Sequence, residues 1–556
     1  MKNRTVRVVC LCAMLCAALL LSGCRLTGSI TKYLSSLRPA AKEQPTEVEL
    51  PDGPVLMDAY EGLAVEAGYS PQMDVWYGGY YNTEEYAALA ENGFRLVSTS
   101  PLSTFSADVD TASYCNLRRM LNEDRAPSSI PAGAVRLEEM INYFRYDYPA
   151  PMEGKFSVTA QIAPCPWNGD NMLLMLGLRA AEAPKAAENG SNLVFLMDVS
   201  GSMKSEAKLP LAKEAMILLV DSLTEKDTVS IVTYASGEEI LIEGANPARD
   251  REALEEAISS LEAGGSTYGE KGLTQAYDVA QRYFRPGGNN RVILCSDGDL
   301  NVGITSESEL HDFVTRKKET GVYLSVLGFG EGNYKDTKME TLADDGNGSY
   351  YYIDSILEAR KVLCEEMTST LFTVADDVKF QIEFNPAYVA SYRQIGYENR
   401  ALENEDFEND KKDAGEVGAG ACVTVLYELT PAGEGGESGL RYQTSQLTEE
   451  GEKSGEWLTL SIRYKEPGEA ESQLETVAVT EEDVTDAPSA DFRFAAAVAQ
   501  FGMVLERSEH MGSASYAGII EQLKDGGEGG TLLTDEYREE LFSLVKIAQR
   551  LDALDR

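Results

Sequence analysis

The sequence predicts an α/β plus β protein. A doubly wound α/β domain, residues 191–371, is inserted in a β-sandwich formed by the flanking segments 151–190 and 376–470, with additional helices at both ends. Three patterns predict it. Short apolar runs of strand length alternate with helix-period segments through 191–371, the order that gives a mostly parallel sheet with helices on both faces. Period-two alternation, the mark of half-buried strands, stands immediately before and after that stretch. Helical stripes follow within 471–556.

The chain opens with the basic Met1-Lys2-Asn3-Arg4-Thr5-Val6-Arg7, an apolar run from Val8 to Leu21, and the small pair Ser22-Gly23. That order predicts a secretory leader over 1–23, too short to span a bilayer stably. Leu21-Ser22-Gly23-Cys24 resembles the bacterial lipobox. The resemblance implies that Cys24 becomes the lipid-bearing first residue of a membrane-anchored lipoprotein, in the bacterial cell envelope and facing outside the cytoplasm. An ordinary cut beside an incidental Cys is the alternative. Residues 24–80 combine the lipidated Cys with a polar tether containing Pro39, Pro45, Pro51 and Pro54 and no sustained period; such a chain reaches about 40 Å on average.

Formal net charge is −42, and the leader carries Lys2, Arg4 and Arg7 without an acid, so its removal makes the chain more acidic. Such a surface repels nucleic acid and anionic headgroups, which leaves the lipid as the membrane attachment. The many Asp and Glu runs are expected to be solvated faces. After Cys24 come Cys115, Cys165, Cys295, Cys364 and Cys422, an odd number without CxxC spacing, which defines no disulfide framework. A single Cys165–Cys422 bridge is left open.

Residues 81–150 form an amino-terminal region, in which Leu137, Ile141 and Phe144 share one helical face. Asp108 and Asp110 are expected in turn and cap roles, since no third ligand for a second metal is evident. Alternating strands are predicted on Phe156-Val158-Ala160-Ile162 and Met172-Leu174-Leu176-Leu178. After the central domain they recur on Val378-Phe380-Ile382-Phe384, Val423-Val425-Tyr427 and Leu458-Leu460-Ile462-Tyr464. Central strands are predicted at 193–197, 228–234, 292–295 and 322–327, with Tyr350-Tyr351-Tyr352 as the last, and helices at 211–223, 253–261, 272–283, 309–318 and 356–366. Gly433 to Gly439 and Glu449 to Gly455 are expected as acidic loops. Phe494, Val498, Phe501 and Leu505 define one carboxyl-terminal helix and residues 537–551 another.

The stretch that carries chemistry is Asp198-Val199-Ser200-Gly201-Ser202-Met203, directly after the apolar run Asn192 to Met197. Alternate residues of a strand-to-helix loop can turn Asp198, Ser200 and Ser202 toward one point, and three oxygens on one point suit a hard cation. Helix capping by the same Asp and Ser is the competing reading of the motif in isolation. The pattern resembles the metal-ion-dependent adhesion site of von Willebrand factor type A (VWA) domains. The match extends to Thr267 in Gly264-Gly265-Ser266-Thr267-Tyr268-Gly269 and to Asp297 in Val292-Ile293-Leu294-Cys295-Ser296-Asp297-Gly298. The segments Pro101 to Tyr114, Arg136 to Phe144, Asp297 to Gly303, Leu327 to Tyr334 and Gln394 to Arg400 resemble a bacterial family of VWA lipoproteins. This implies a Rossmann-like central domain whose ion is held directly by Ser200, Ser202 and Thr267 and largely through water by Asp198 and Asp297. Mg²⁺, or Mn²⁺ or Ca²⁺, is the implied ion, with a protein partner's Asp or Glu completing its shell.

Nucleotide binding is not expected. Gly328-Phe329-Gly330-Glu331-Gly332 lacks both a following Gly-Lys-Ser/Thr and the GxGxxG spacing. The only histidines are His311 and His510, with neither in an HExxH nor beside a G-x-S-x-G turn, so zinc proteases and Ser-His-Asp hydrolases are disfavoured. The expectation is a non-enzymatic envelope lipoprotein that binds a protein partner through its metal. The alternative is a structural or regulatory scaffold whose metal only stabilises the fold.

Overall fold

The computed structural model describes residues 86, 90–107, 110–131, 133–182, 189–265, 269–298, 307–330, 336–366, 369, 372–433, 447–524 and 531–555. The chain divides into Met1–Tyr77 and Gly78–Arg556, and every described residue belongs to the second unit. The leader, Cys24, the tether, Asp108 and Thr267 lie outside the described residues. Among the described residues, no helix is long and apolar enough to cross a membrane.

The amino-terminal region begins with strands β1 (Arg95–Leu96) and β2 (Leu102–Ser106), then helices α1 (Ala112–Asn122) and α2 (Leu137–Asn142). Thr111 makes no side-chain cap for α1; instead the Glu139 carboxylate on α2 accepts from Ser113 N at 2.7 Å, satisfying one of the amides a helix start leaves free. Leu137, Ile141 and Phe144 are buried as their spacing predicts. Strands β3 (Phe156–Pro164) and β4 (Met172–Ala180) follow as an antiparallel pair.

The central domain runs through β5 (Ser191–Asp198), α3 (Leu209–Ser222), β6 (Thr228–Tyr234), β7 (Glu238–Ala245), α4 (Arg251–Ser259), α5 (Gly269–Arg282), β8 (Asn289–Ser296), α6 (Glu307–Lys318), β9 (Tyr323–Phe329), α7 (Asp336–Asp345), β10 (Tyr350–Ile353) and α8 (Ile356–Arg360). Its sheet order is β10-β9-β8-β5-β6-β7, parallel except for the antiparallel edge strand β7. The unbroken apolar run of β5 is explained by its two faces. Val194 and Leu196 enter the core under α5, while Leu193, Phe195 and Met197 enter the core under α3 and α8. Each such side chain contributes about 1.5–3 kcal/mol of burial.

After the insertion come β11 (Thr373–Phe384), β12 (Val389–Ile395), β13 (Gly415–Gly418), β14 (Cys422–Pro431), α9 (Glu449–Lys453), β15 (Glu456–Lys465), β16 (Ser472–Thr480), α10 (Ala490–Glu506), α11 (Tyr516–Lys524) and α12 (Glu536–Asp555). Strands from both sides of the central domain pair directly, with Leu178 opposite Val423, Leu176 opposite Val425 and Leu174 opposite Tyr427. They form the sheet β1-β12-β14-β4-β3. The facing sheet is built on β11, with β15 and β16 on one side and β2 and β13 on the other. The alternating residues Leu174, Leu176, Phe380, Ile382, Val425, Leu460 and Ile462 fill one shared core. Helix α10 is buried on nearly all sides. Its Gly502 leaves room for α2, because a Cβ there would lie 2.2 Å from Leu137 Cδ2.

Several boundaries differ from expectation. Strands β1 and β2, which the periodicity of 81–150 did not predict, join the sandwich, β1 in one sheet and β2 in the other. The helical segment 471–556 starts with strand β16; Val479 is its one fully buried apolar residue, so its edge position leaves a weak periodic signal. The expected loop at Glu449 contains the short helix α9, capped by the Thr448 side chain accepting from Gly451 N. Cys165 and Cys422 are both free thiols, so that bridge is not formed.

Candidate metal centre

Neighbouring parallel strands deliver the site to one sheet edge. β5 lies between β6 and β8, with Asp198 in register with Tyr234 and Met197 with Cys295. β5 therefore ends on Asp198, β6 on Tyr234 and β8 on Ser296, with Asp297 one residue further. This is the carboxyl edge at which open α/β sheets hold ligands.

Asp198 is fully buried. Its Oδ1 accepts from the backbone N of Ser200 at 2.9 Å, and its Oδ2 accepts from Tyr234 OH at 3.0 Å and Ser296 Oγ at 3.2 Å. Burial pushes its carboxyl from 3.8 up to about 6; the Ser200 and Tyr234 hydrogen bonds oppose that rise and the nearby Asp297 adds to it. The donors fix the orientation of the carboxylate, so capping explains one oxygen of the motif and not the convergence.

Ser200 and Ser202 place their hydroxyl oxygens 3.0 Å apart. Adjacent ligands on an octahedral ion at 2.0–2.1 Å are separated by about 2.9 Å, so this pair suits two neighbouring Mg²⁺ positions. Gly201 between them donates from N to Gly265 O at 3.1 Å, and Gly264 N donates to Val199 O at 2.8 Å. These bonds tie the two loops together. Gly265 has φ +81, and a Cβ there would lie 2.3 Å from Ser236 Oγ, which requires glycine. Thr267 follows beyond the described part of that loop.

Asp297 is buried and accepts from Lys208 Nζ at 2.9 Å, the lysine side chain being 8% exposed. Of the five ligands read from the sequence, the structure places Asp198, Ser200, Ser202 and Asp297 at this edge. Tyr234, Ser296 and Lys208 were missed. The first two end or extend predicted strands and were readable from position, whereas Lys208 carries no motif signal of its own.

A second close set of metal-type ligands, Cys115, Asp354 and Glu358, stands elsewhere. Arg118 already fills it, donating from Nε to Asp354 and from Nη2 to Glu358 at 2.8 Å each. Asp110, weighed as a metal ligand, accepts from Tyr350 N at 3.2 Å and pairs with Arg400 at 2.9 Å, a structural role.

The doubly wound sheet with this constellation on its carboxyl edge defines a VWA-domain protein. The von Willebrand factor type A domain family matches residues 192–363, a family described as von Willebrand factor matches 80–175, and the YfbK carboxyl-terminal family matches 369–551. The chain is 42% identical over 478 residues to the Uncharacterized protein YfbK of Escherichia coli (strain K12), an alignment covering 84% of this chain and 81% of that protein. It belongs to the YfbK family of bacterial VWA proteins. The Uncharacterized protein sll0103 of Synechocystis is 30% identical over 189 residues, covering 33% of this chain and 43% of that protein. Among solved structures, a von Willebrand factor type A protein from Catenulispora acidiphila aligns with TM-score 0.38 and 15% identity, covering 72% of this chain and 91% of that one.

Proposed function

We propose that this chain is an envelope lipoprotein that binds a protein partner through a metal-ion-dependent adhesion site. The observation that carries the reading is the 3.0 Å pair of Ser200 and Ser202 hydroxyls beside the oriented, buried carboxylate of Asp198. Ser200, Ser202 and Thr267 would hold Mg²⁺, or Mn²⁺ or Ca²⁺, directly, with Asp198 and Asp297 holding it through water. The bound ion would supply an electrophilic position for a partner's Asp or Glu. Neutral hydroxyl ligands favour that role, because they leave more of the ion's charge unspent than carboxylates would.

The leader and Cys24 support anchorage at the envelope by lipid. A non-enzymatic role is supported by the match of residues 192–363 to the von Willebrand factor type A domain family. A scaffold role is favoured by one other observation. Arg118 ties α1 to Asp354, Glu358 and Glu540, so the flanking segments grip the central domain without any metal.

The test is crosslinked capture from envelope extracts by wild type and Thr267→Ala, each in Mg²⁺ and in chelator. Capture by wild type in Mg²⁺ alone, lost in the folded variant, supports adhesion. Capture that survives both the variant and chelation supports the scaffold and overturns the adhesion reading.

A further inference from the structure

The metal site contains a cation of its own. Lys208, the residue before α3, sends its side chain to the sheet edge, where Nζ donates to Asp297 Oδ2 at 2.9 Å in a nearly fully buried pair. The fold keeps a lane open for it. Gly330, just past β9, has φ +90, and a Cβ there would stand 2.3 Å from Lys208 Cε. Tyr352 OH fixes that glycine by donating to its carbonyl at 2.6 Å. A long cationic side chain is thus threaded past a glycine onto one of the two carboxylates that serve the metal.

We propose that Lys208 is the tethered counter-cation of the adhesion site, a positioning residue that weakens metal binding while leaving the loaded site positive. The proposal rests on the metal-site reading above. With Asp198 and Asp297 ionised, Lys208 reduces the site's charge from −2 to −1, so a divalent ion raises it to +1 instead of neutralising it. A positive loaded site attracts an anionic partner group, and the lysine's repulsion of the ion keeps binding weak enough for the metal to leave. In the metal-free chain the lysine also forms a buried ion pair with Asp297, and removing one member of such a pair is destabilising.

Mn²⁺ titration of the full chain in detergent, followed by the EPR signal of free Mn²⁺, tests this with wild type, Asp198→Ala, Lys208→Met and Lys208→Arg. Wild-type binding that Asp198→Ala loses establishes the site itself. Lys208→Met should then bind Mn²⁺ about tenfold tighter or more, while Lys208→Arg stays close to wild type. The methionine variant should also melt lower without metal and regain that loss when Mn²⁺ is added. Unchanged or weaker affinity in Lys208→Met, with wild-type binding intact, overturns the counter-cation role and leaves the metal site standing. Binding that appears only in Lys208→Met supports the role in its stronger form. If neither protein binds Mn²⁺, the metal-site reading and this inference fall together.

Discussion

Tyr234, at the end of β6, donates its hydroxyl to Oδ2 of Asp198, at the end of β5, across 3.0 Å. The two residues are in register on adjacent parallel strands, so the sheet itself sets the distance. A hydrogen bond to a charged group contributes about 1.5–3 kcal/mol. Tyr234→Phe is therefore expected to weaken Mn²⁺ binding about tenfold while the Ser296 bond keeps the carboxylate in place; unchanged affinity in the same titration would remove Tyr234 from the site.

The raised carboxyl of Asp198 gives a pH dependence with a definite sign. Between about 4 and about 6 the folded metal-free chain retains a proton that the unfolded chain has released, so this group's contribution to stability falls as pH rises through that window and is level above it. Asp198→Asn should flatten that part of the stability profile. Because the metal needs the ionised form, apparent Mn²⁺ affinity in wild type should fall about tenfold per pH unit below about 6. Titrations at pH 5, 6 and 7 check both the slope and its onset.

Arg118 is a buried electrostatic joint between the flanking segments and the central domain. Its guanidinium meets Asp354 and Glu358, Tyr143 OH and Glu540 on α12. Removing one member of a buried pair costs about 3–5 kcal/mol. Arg118→Ala should lower denaturant stability by that amount, whereas replacing Arg118, Asp354 and Glu358 together by apolar residues should cost far less. Equal losses in both would show that packing, not charge, makes the joint.

On β4, Gly177 accommodates the ring of Tyr148, whose Cζ would lie 2.2 Å from a Cβ at that position. Tyr148 OH also bonds Thr424 Oγ1 on β14 at 2.9 Å. Gly177→Val must displace the ring and should cost about 1–3 kcal/mol, seen as a lower melting temperature with metal affinity unchanged.

The sequence was most informative where one physical cause dominates. Residues Leu174, Leu176 and Leu178 alternate because one face meets the facing sheet, and the same alternation in Val423, Val425 and Tyr427 anticipated that the two strands share a core. Asp198, Ser200 and Ser202 were legible because a strand end and a glycine constrain them locally. Elements whose burial is decided by distant partners were not legible. β7 was hidden by its half-exposed edge position, β16 by having one fully buried apolar residue, and α1 by burying polar residues such as Asn116 and Arg118. Lys208 was invisible for the same reason, since its partner Asp297 is 89 residues away.

The most direct measurement is the melting temperature of the full chain in detergent with chelator, then with Mg²⁺ titrated in, beside Asp198→Ala and Lys208→Met. Metal at about 100 times its dissociation constant should add roughly 2.7 kcal/mol to the unit that binds it. A saturable rise in wild type that Asp198→Ala lacks is the predicted result. No rise in either wild type or Lys208→Met, or an equal rise in wild type and Asp198→Ala, would contradict a metal centre built on Asp198.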